Sequence, residues 1–308
     1  MLKLFKKIVT SKWTKLIFSM LLIYFAFRQI DFLKLVAELS KVNLWVVGLI
    51  IIYNAISMII GGYRWALIAL PKVSFKDAVL FTKSTYLGAF YNLFFPSAVG
   101  GDLLKWIPLM EKYPELSKTR LATSVLVDRI VGFTAFCIFG LLALILGKVL
   151  GYEFPVYILW LFVAINFGVL TFYGVVYFTD MDKVLDQYPK LHRLDEVISI
   201  LKRENKGRVF KSLLISLVAE PYWIMSSWFA ALLFNVPISP MQIFIFMPII
   251  ALILVLPISV AGFGARENLY LYFFGQLGIG SEKLLLMSTF NGLIGVINSL
   301  IGGILLLF

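Results

Sequence analysis

The sequence predicts an all-α polytopic membrane protein, with about six full transmembrane helices and two oppositely oriented re-entrant helical hairpins that form an inverted repeat. Three observations predict it. Of 308 residues, 61% are hydrophobic and 16% aromatic, and the mean hydropathy of +0.93 lies far outside soluble globular composition. Two apolar runs are interrupted by the same kind of insert, Pro96 to Gly101 and Pro257 to Gly262, and each insert precedes charges that open another run. The Lys and Arg residues gather in alternate loops, as the positive-inside rule requires of a chain that crosses a bilayer repeatedly.

Met1 to Lys15 holds five lysines and no acid, which sets the N-terminus in the cytoplasm. The first span, Leu16 to Ile30, is short against the ~20 residues a bilayer needs, so Trp13 and snorkelling lysines extend it. No small-residue cleavage site follows its apolar core, which argues against a removed signal peptide. Asp31 to Lys41 forms a short outer segment. The second span, Asn43 to Tyr63, ends in Arg64 and Trp65, a cation and an indole expected at the inner interface. If the next run, Asp77 to Phe95, crossed fully, Lys112, Lys118 and Arg120 would lie outside, against the charge bias. A re-entrant hairpin over 77–110 resolves this. Asn92 ends the entering helix, Pro96 removes a backbone donor, Gly100 and Gly101 free the turn, and Asp102 and Lys105 open a returning helix that reaches Met110.

Leu121 to Leu150 then crosses outward and Pro155 to Phe178 crosses back. The stretch 180–211, with eight Lys/Arg, is a cytoplasmic basic connector. Leu185, Leu191, Leu194, Ile198 and Leu201 fall near helical spacing, read as a solvated connector rather than an interfacial anchor. Asp180 and Asp182 read as its N-cap, not as a metal-binding pair. Ser212 to Phe234 crosses outward through Glu220 and Pro221. Met241 to Leu256 enters from outside, breaks at Pro257, Gly262 and Gly264, and resumes at Arg266 and Glu267, giving a second hairpin over 241–278. A last span begins near Lys283 and returns the C-terminus to the cytoplasm. The chain 1–308 is thus one transmembrane domain of the cell membrane, inner or plasma, with repeats over 43–150 and 212–308. Matching their leading spans sets Asn54 opposite Glu220.

One cysteine, Cys137, and one histidine, His192, exclude an intrachain disulfide and nearly exclude Cys/His zinc sites and Ser-His-Asp or Cys-His catalysis; carboxylate-bound magnesium stays open. No catalytic constellation remains, so the expectation is no enzyme, no cofactor and no metal site. The net charge of +11 points to anionic lipid headgroups as partners rather than nucleic acid. The ionisable residues expected at membrane depth are Asp102, Lys105, Asp128, Arg129, Glu220, Arg266 and Glu267, with Arg64 and Lys83 nearer an interface. Each costs roughly 2.5–3.5 kcal/mol to hold there, so each must pair or line a wet cavity. On the functional reading, Lys105, Arg129 and Arg266 hold an anionic headgroup while the four acids position those cations or carry protons. On the structural reading, Asp128–Arg129 and Arg266–Glu267 are ion pairs at helix ends. Helices starting after Gly101 and Gly264 would add free amides and a positive dipole end.

Arg64-Trp65, Asn92 with Pro96 and Gly100-Gly101-Asp102, Lys105, the segment Ala122 to Arg129, and Pro257 with Gly262-Phe263-Gly264-Ala265-Arg266-Glu267 together resemble the lysylphosphatidylglycerol synthase transmembrane-region family. The resemblance spans nearly the whole chain. It implies a membrane protein that moves lipids with large polar heads between leaflets, as the flippase half of bacterial multiple peptide resistance factors does. No aminoacyl-transferase domain follows the apolar C-terminus, so lipid aminoacylation is not implied, and stand-alone relatives linked to isoprenoid-linked sugars leave the substrate open. The expected function is a flippase-like translocase of an anionic phospholipid or polyprenyl-phosphate-linked lipid. The competing readings are a membrane-embedded lipid-phosphate transferase, a small-solute or ion transporter of similar architecture, and a non-catalytic assembly partner; homo-oligomerisation is left open.

Overall fold

Helix starts are written locally into the chain. The Asn43 side chain accepts from the Trp45 amide at 3.0 Å, and Ser117 accepts from Arg120. Ser74 with Asp77, and Ser239 with Gln242, form reciprocal capping boxes. Each cap satisfies amides that the first turn leaves without a helical partner. The resulting helices are α1 (Leu44–Ala69), α2 (Phe75–Asn92), α3 (Lys118–Val149), α4 (Val156–Phe178), α5 (Lys206–Leu233), α6 (Pro240–Leu254), α7 (Ala265–Gly275) and α8 (Ser281–Leu305). The computed structural model describes residues 37, 42–94, 101, 104–181, 183, 187, 194–204, 206–255, 262 and 264–305. The expected first span and Pro96, Gly100, Asp102, Asp182, Leu185, Leu191, His192 and Pro257 lie outside the described residues.

Among the described residues there is no strand, and five helices, α1, α3, α4, α5 and α8, are long and apolar enough to cross a membrane. This is a polytopic α-helical architecture, in which each spanning segment satisfies its own backbone. By contrast, α6 extends only about 22 Å and α2 about 27 Å, less than the ~30 Å hydrocarbon core. These are the two helices that precede the breaks.

The core is built by pairing those shorter helices with long ones. α2 packs on α1 and α8, α6 packs on α5 and α3, and α1 packs on α5. Small residues permit the closest approaches. A Cβ at Gly62 would sit 2.5 Å from Thr82 Cα, and one at Gly302 would sit 2.1 Å from the Tyr86 carbonyl oxygen. Between α1 and α5, the rings of Tyr53 and Tyr222 stack with centroids 4.0 Å apart. Each hydroxyl donates to the other residue's carbonyl, at 2.8 and 3.0 Å. The basic connector contributes a short helix, Asp195–Ile198, and a wider turn, Ser199–Glu204. Val197, Ile200 and Leu201 from it are buried against Ile68, Val131 and Val176, so it docks on the bundle rather than standing solvated.

Two further expectations change. α1 continues past Tyr63 to Ala69, and Trp65 is a fully buried core residue rather than an interfacial anchor. Over 104–110 the expected returning α-helix is also replaced by short turns, with the Leu104 amide donating to the Gly101 carbonyl at 2.9 Å and a further turn at Ile107–Leu109. Pro108 works against that helix, because its ring crowds the Leu104 carbonyl and it supplies no amide; the longer, packed α5 and α6 absorb the same cost of ~3 kcal/mol at Pro221 and Pro248. The segment is held instead by Tyr113, whose hydroxyl donates to Asp77 Oδ1 at 2.5 Å.

Gly302→Ala should lower the thermal unfolding temperature of the purified protein, by the ~1–3 kcal/mol typical of overpacking. Gly295→Ala on the same helix, where an added Cβ meets nothing within 4 Å, should leave it unchanged or raise it.

Candidate functional site

Asp128 lies in the buried part of α3, and each of its carboxylate oxygens takes a different cation. Arg64 Nε from α1 approaches Oδ1 at 2.8 Å, and Lys105 Nζ approaches Oδ2 at 3.1 Å. Asp128 and Lys105 are each only 2% exposed. Lys105 Nζ also stands 4.4 Å above the Trp65 ring, a cation–π contact in a desolvated setting. The Trp65 indole is fixed in turn by donating to Ser124 Oγ at 2.9 Å. Arg64 spends a further donor on Ser216 Oγ of α5, at 3.2 Å. Gly132, four residues after Asp128 and therefore on the same helix face, makes room for the guanidinium: a Cβ there would lie 3.1 Å from Arg64 Nη1. One acid thus joins α1, the stretch after the first break, and α3, while Arg64 adds α5.

The neighbouring charges are more open. Arg129, the next residue on α3, is exposed, and Glu220 on α5 is half-buried; each is within electrostatic reach of the other and of Arg64. Among the described residues, no hydrogen bond or ion pair reaches the Glu220 carboxylate. Pro221 follows it inside the helix. Asn54 turns its amide back to Ile50 of its own helix, and Lys83 is exposed on α2.

The two breaks are built differently. Gly101 donates its amide to Asn92 Oδ1 at 2.7 Å and lies against the end of α2, where a Cβ would sit 2.5 Å from the Gly88 carbonyl oxygen. Gly262 and Gly264 instead adopt φ of 80° and 81°, a backbone region that a side chain disfavours. Glu267 does not pair with the adjacent Arg266. One of its oxygens caps the Gly264 amide and the other accepts from Ser288 Oγ at 3.2 Å. The amide at the start of α7 is therefore already occupied by an acid of the chain itself. Arg266 and Glu267 are both half-buried, next to fully buried Tyr270, whose hydroxyl meets Asn291 Nδ2 at 3.2 Å.

Of the residues expected in the site, Arg64, Lys105 and Asp128 meet in one cluster with Arg129 and Glu220 beside it. Asp128–Arg129 is replaced as an ion pair by Asp128 with Arg64 and Lys105. Trp65, Ser124, Gly132 and Ser216 were not legible as members. Ser124 and Gly132 carry a signal, their spacing of four residues to either side of Asp128. Among the described residues no cluster of His, Cys, Asp and Glu is grouped to hold a metal ion.

Long apolar helices around a buried charge cluster define a polytopic helical membrane protein. The chain matches the lysylphosphatidylglycerol synthase TM region over residues 12–303, and it belongs to that family. No curated protein and no solved structure matches it.

Asp128→Asn should destabilise the protein by roughly 3–5 kcal/mol, because Arg64 and Lys105 would remain buried without their carboxylate. Adding Lys105→Met to Asp128→Asn should recover part of that loss. Equal unfolding temperatures in detergent for the single and double variants would refute the coupling.

Proposed function

We propose that this membrane protein is a flippase-like lipid translocase that moves an anionic phospholipid or a polyprenyl-phosphate-linked lipid between leaflets, without catalysing a covalent reaction. The observation that carries this reading is an exposed Arg129 and a half-buried Glu220 beside the buried Arg64–Asp128–Lys105 cluster, on helices long enough to span a bilayer. Charges held at membrane depth and left accessible favour a polar or ionic cargo over lipid packing. The family supports a membrane lipid as that cargo. Arg129 and Arg266 hold the phosphate in this scheme, and the tails stay in the bilayer. Lys105, only 2% exposed, acts by fixing Asp128 and Arg64. Closure of that trio by itself would suit a non-transporting assembly partner; the exposure of Arg129 favours transport.

The same scheme takes the chain as an inverted repeat, α1–α3 against α5–α8, with α2 and α6 as entering arms of re-entrant hairpins. The helix pairing supports it, since α2 packs on the last helix of the other unit and α6 does likewise. The reciprocal Tyr53–Tyr222 contact has the form expected on a two-fold axis, where each partner gives what it receives. It favours matching Tyr53 to Tyr222, three residues away from the register that sets Asn54 against Glu220. In this reading both termini and the basic connector are cytoplasmic.

Purified protein in liposomes should flip an acyl-labelled phosphatidylglycerol or a polyprenyl phosphate faster than empty liposomes do, and acceleration of no anionic lipid would refute the assignment. Arg266→Ala should slow flipping by roughly tenfold or more with expression retained, as expected for a lost charge-assisted contact. Gly101→Ala and Gly262→Ala should impair flipping to similar extents, the first by steric conflict and the second by backbone strain. Impairment by only one of them would contradict a two-fold site.

A further inference from the structure

Glu220 differs from the other acids at membrane depth. Asp128 has both oxygens committed to cations, and Glu267 has both committed to hydrogen bonds. Glu220 has neither among the described residues, yet it is half-buried in the middle of a helix that spans the bundle. It lies one turn beyond Ser216, which touches Arg64, so it shares the face of α5 that meets the cluster. The ionisable groups facing it are Arg64 from α1, and Arg129 with the Cys137 thiol from α3. Packed α6 carries no ionisable residue, those of α8 are Glu282 and Lys283 in its first turn, and the connector meets the start of α5 with Lys202 in its wide turn.

Charge balance then constrains what enters. Arg64, Lys105, Arg129 and Asp128 together carry two net positive charges, and an ionised Glu220 halves that to one. An arriving phosphate competes with Glu220 for the same cations and is repelled by it, because like charges in a low-dielectric site disfavour joint ionisation. A neutral Glu220 removes both obstacles. We propose that anion binding at this site is coupled to protonation of Glu220, so that each anionic headgroup enters with a proton and lipid movement responds to a proton gradient. This rests on the translocase reading. The carboxylate takes one proton from the aqueous phase as the phosphate arrives and releases it when the phosphate leaves; no covalent bond is made or broken. Linkage makes the effect reciprocal: protonation raises anion affinity, and bound anion raises proton affinity by the same factor.

Two measurements on the full chain separate this proposal from the reading beneath it. In weakly buffered detergent solution, wild-type protein titrated with dihexanoyl-phosphatidylglycerol should take up close to one proton per molecule bound, whereas Glu220→Gln should bind with an affinity independent of pH and take up none. Binding by wild type without proton uptake overturns the coupling, and so does equal uptake by both proteins. In liposomes with an imposed pH difference, flipping of acyl-labelled phosphatidylglycerol by wild type should speed up or slow down with the sign of the gradient, and Glu220→Gln should lose that response. Flipping that ignores the gradient in wild type overturns the coupling while leaving translocation intact. Proton uptake on binding without any flipping would uphold the coupling and refute translocation.

Discussion

The carboxylate of Asp128 is the constraint around which the bundle is arranged. Two cations removed from water cost several kcal/mol each, and only a shared anion with well-placed oxygens offsets that inside a membrane protein. Arg64 and Lys105 reach it from 64 and 23 residues earlier in the chain, so the pairing can form only when α1, α3 and the stretch after the first break are already together. Trp65 and Ser124 seal Lys105, Gly132 admits Arg64, and Ser216 carries the network into α5. Non-helical backbone in such a protein needs protein around it, and this network supplies an anchor for the short turns around Pro108.

The halves solve the same problem with different chemistry. After the first break the chain is drawn onto the end of α2 by Gly101 and Asn92, and its lysine is buried on Asp128. After the second, Gly262 and Gly264 turn the chain through positive φ, and Glu267 caps the helix that follows. A likeness of pattern, Pro then Gly then charge, therefore conceals unlike electrostatics: one set of charges closes into a cluster and the other leaves Arg266 half-buried beside Tyr270. The closed trio holds α1, α3 and the stretch after the first break together, with Arg129 and Glu220 beside it on α3 and α5.

Much of the helical layout was legible because its causes are local. Apolar runs of bilayer length and the breakers between them act within a few residues, and the helix starts fall within three residues of where those signals put them, except that α5 begins six residues earlier. Trp65 was misread for a related reason. An indole beside an arginine after a long apolar run is the usual mark of an interface, and nothing nearby reveals that Ser124 and Phe81 wait for it in the core. Pro108 is a local signal against a long returning helix.

By itself, the sequence determined the class and most of the described helices, because hydropathy and chain breakers depend on neighbours along the chain. Only the tertiary structure decided which charges meet. Asp128 could have bonded to its neighbour Arg129, but adjacent helical residues point about 100° apart. Packing brings Arg64 and Lys105 to Asp128 from distant segments, and leaves Arg129 exposed and Glu220 without an ion pair among the described residues.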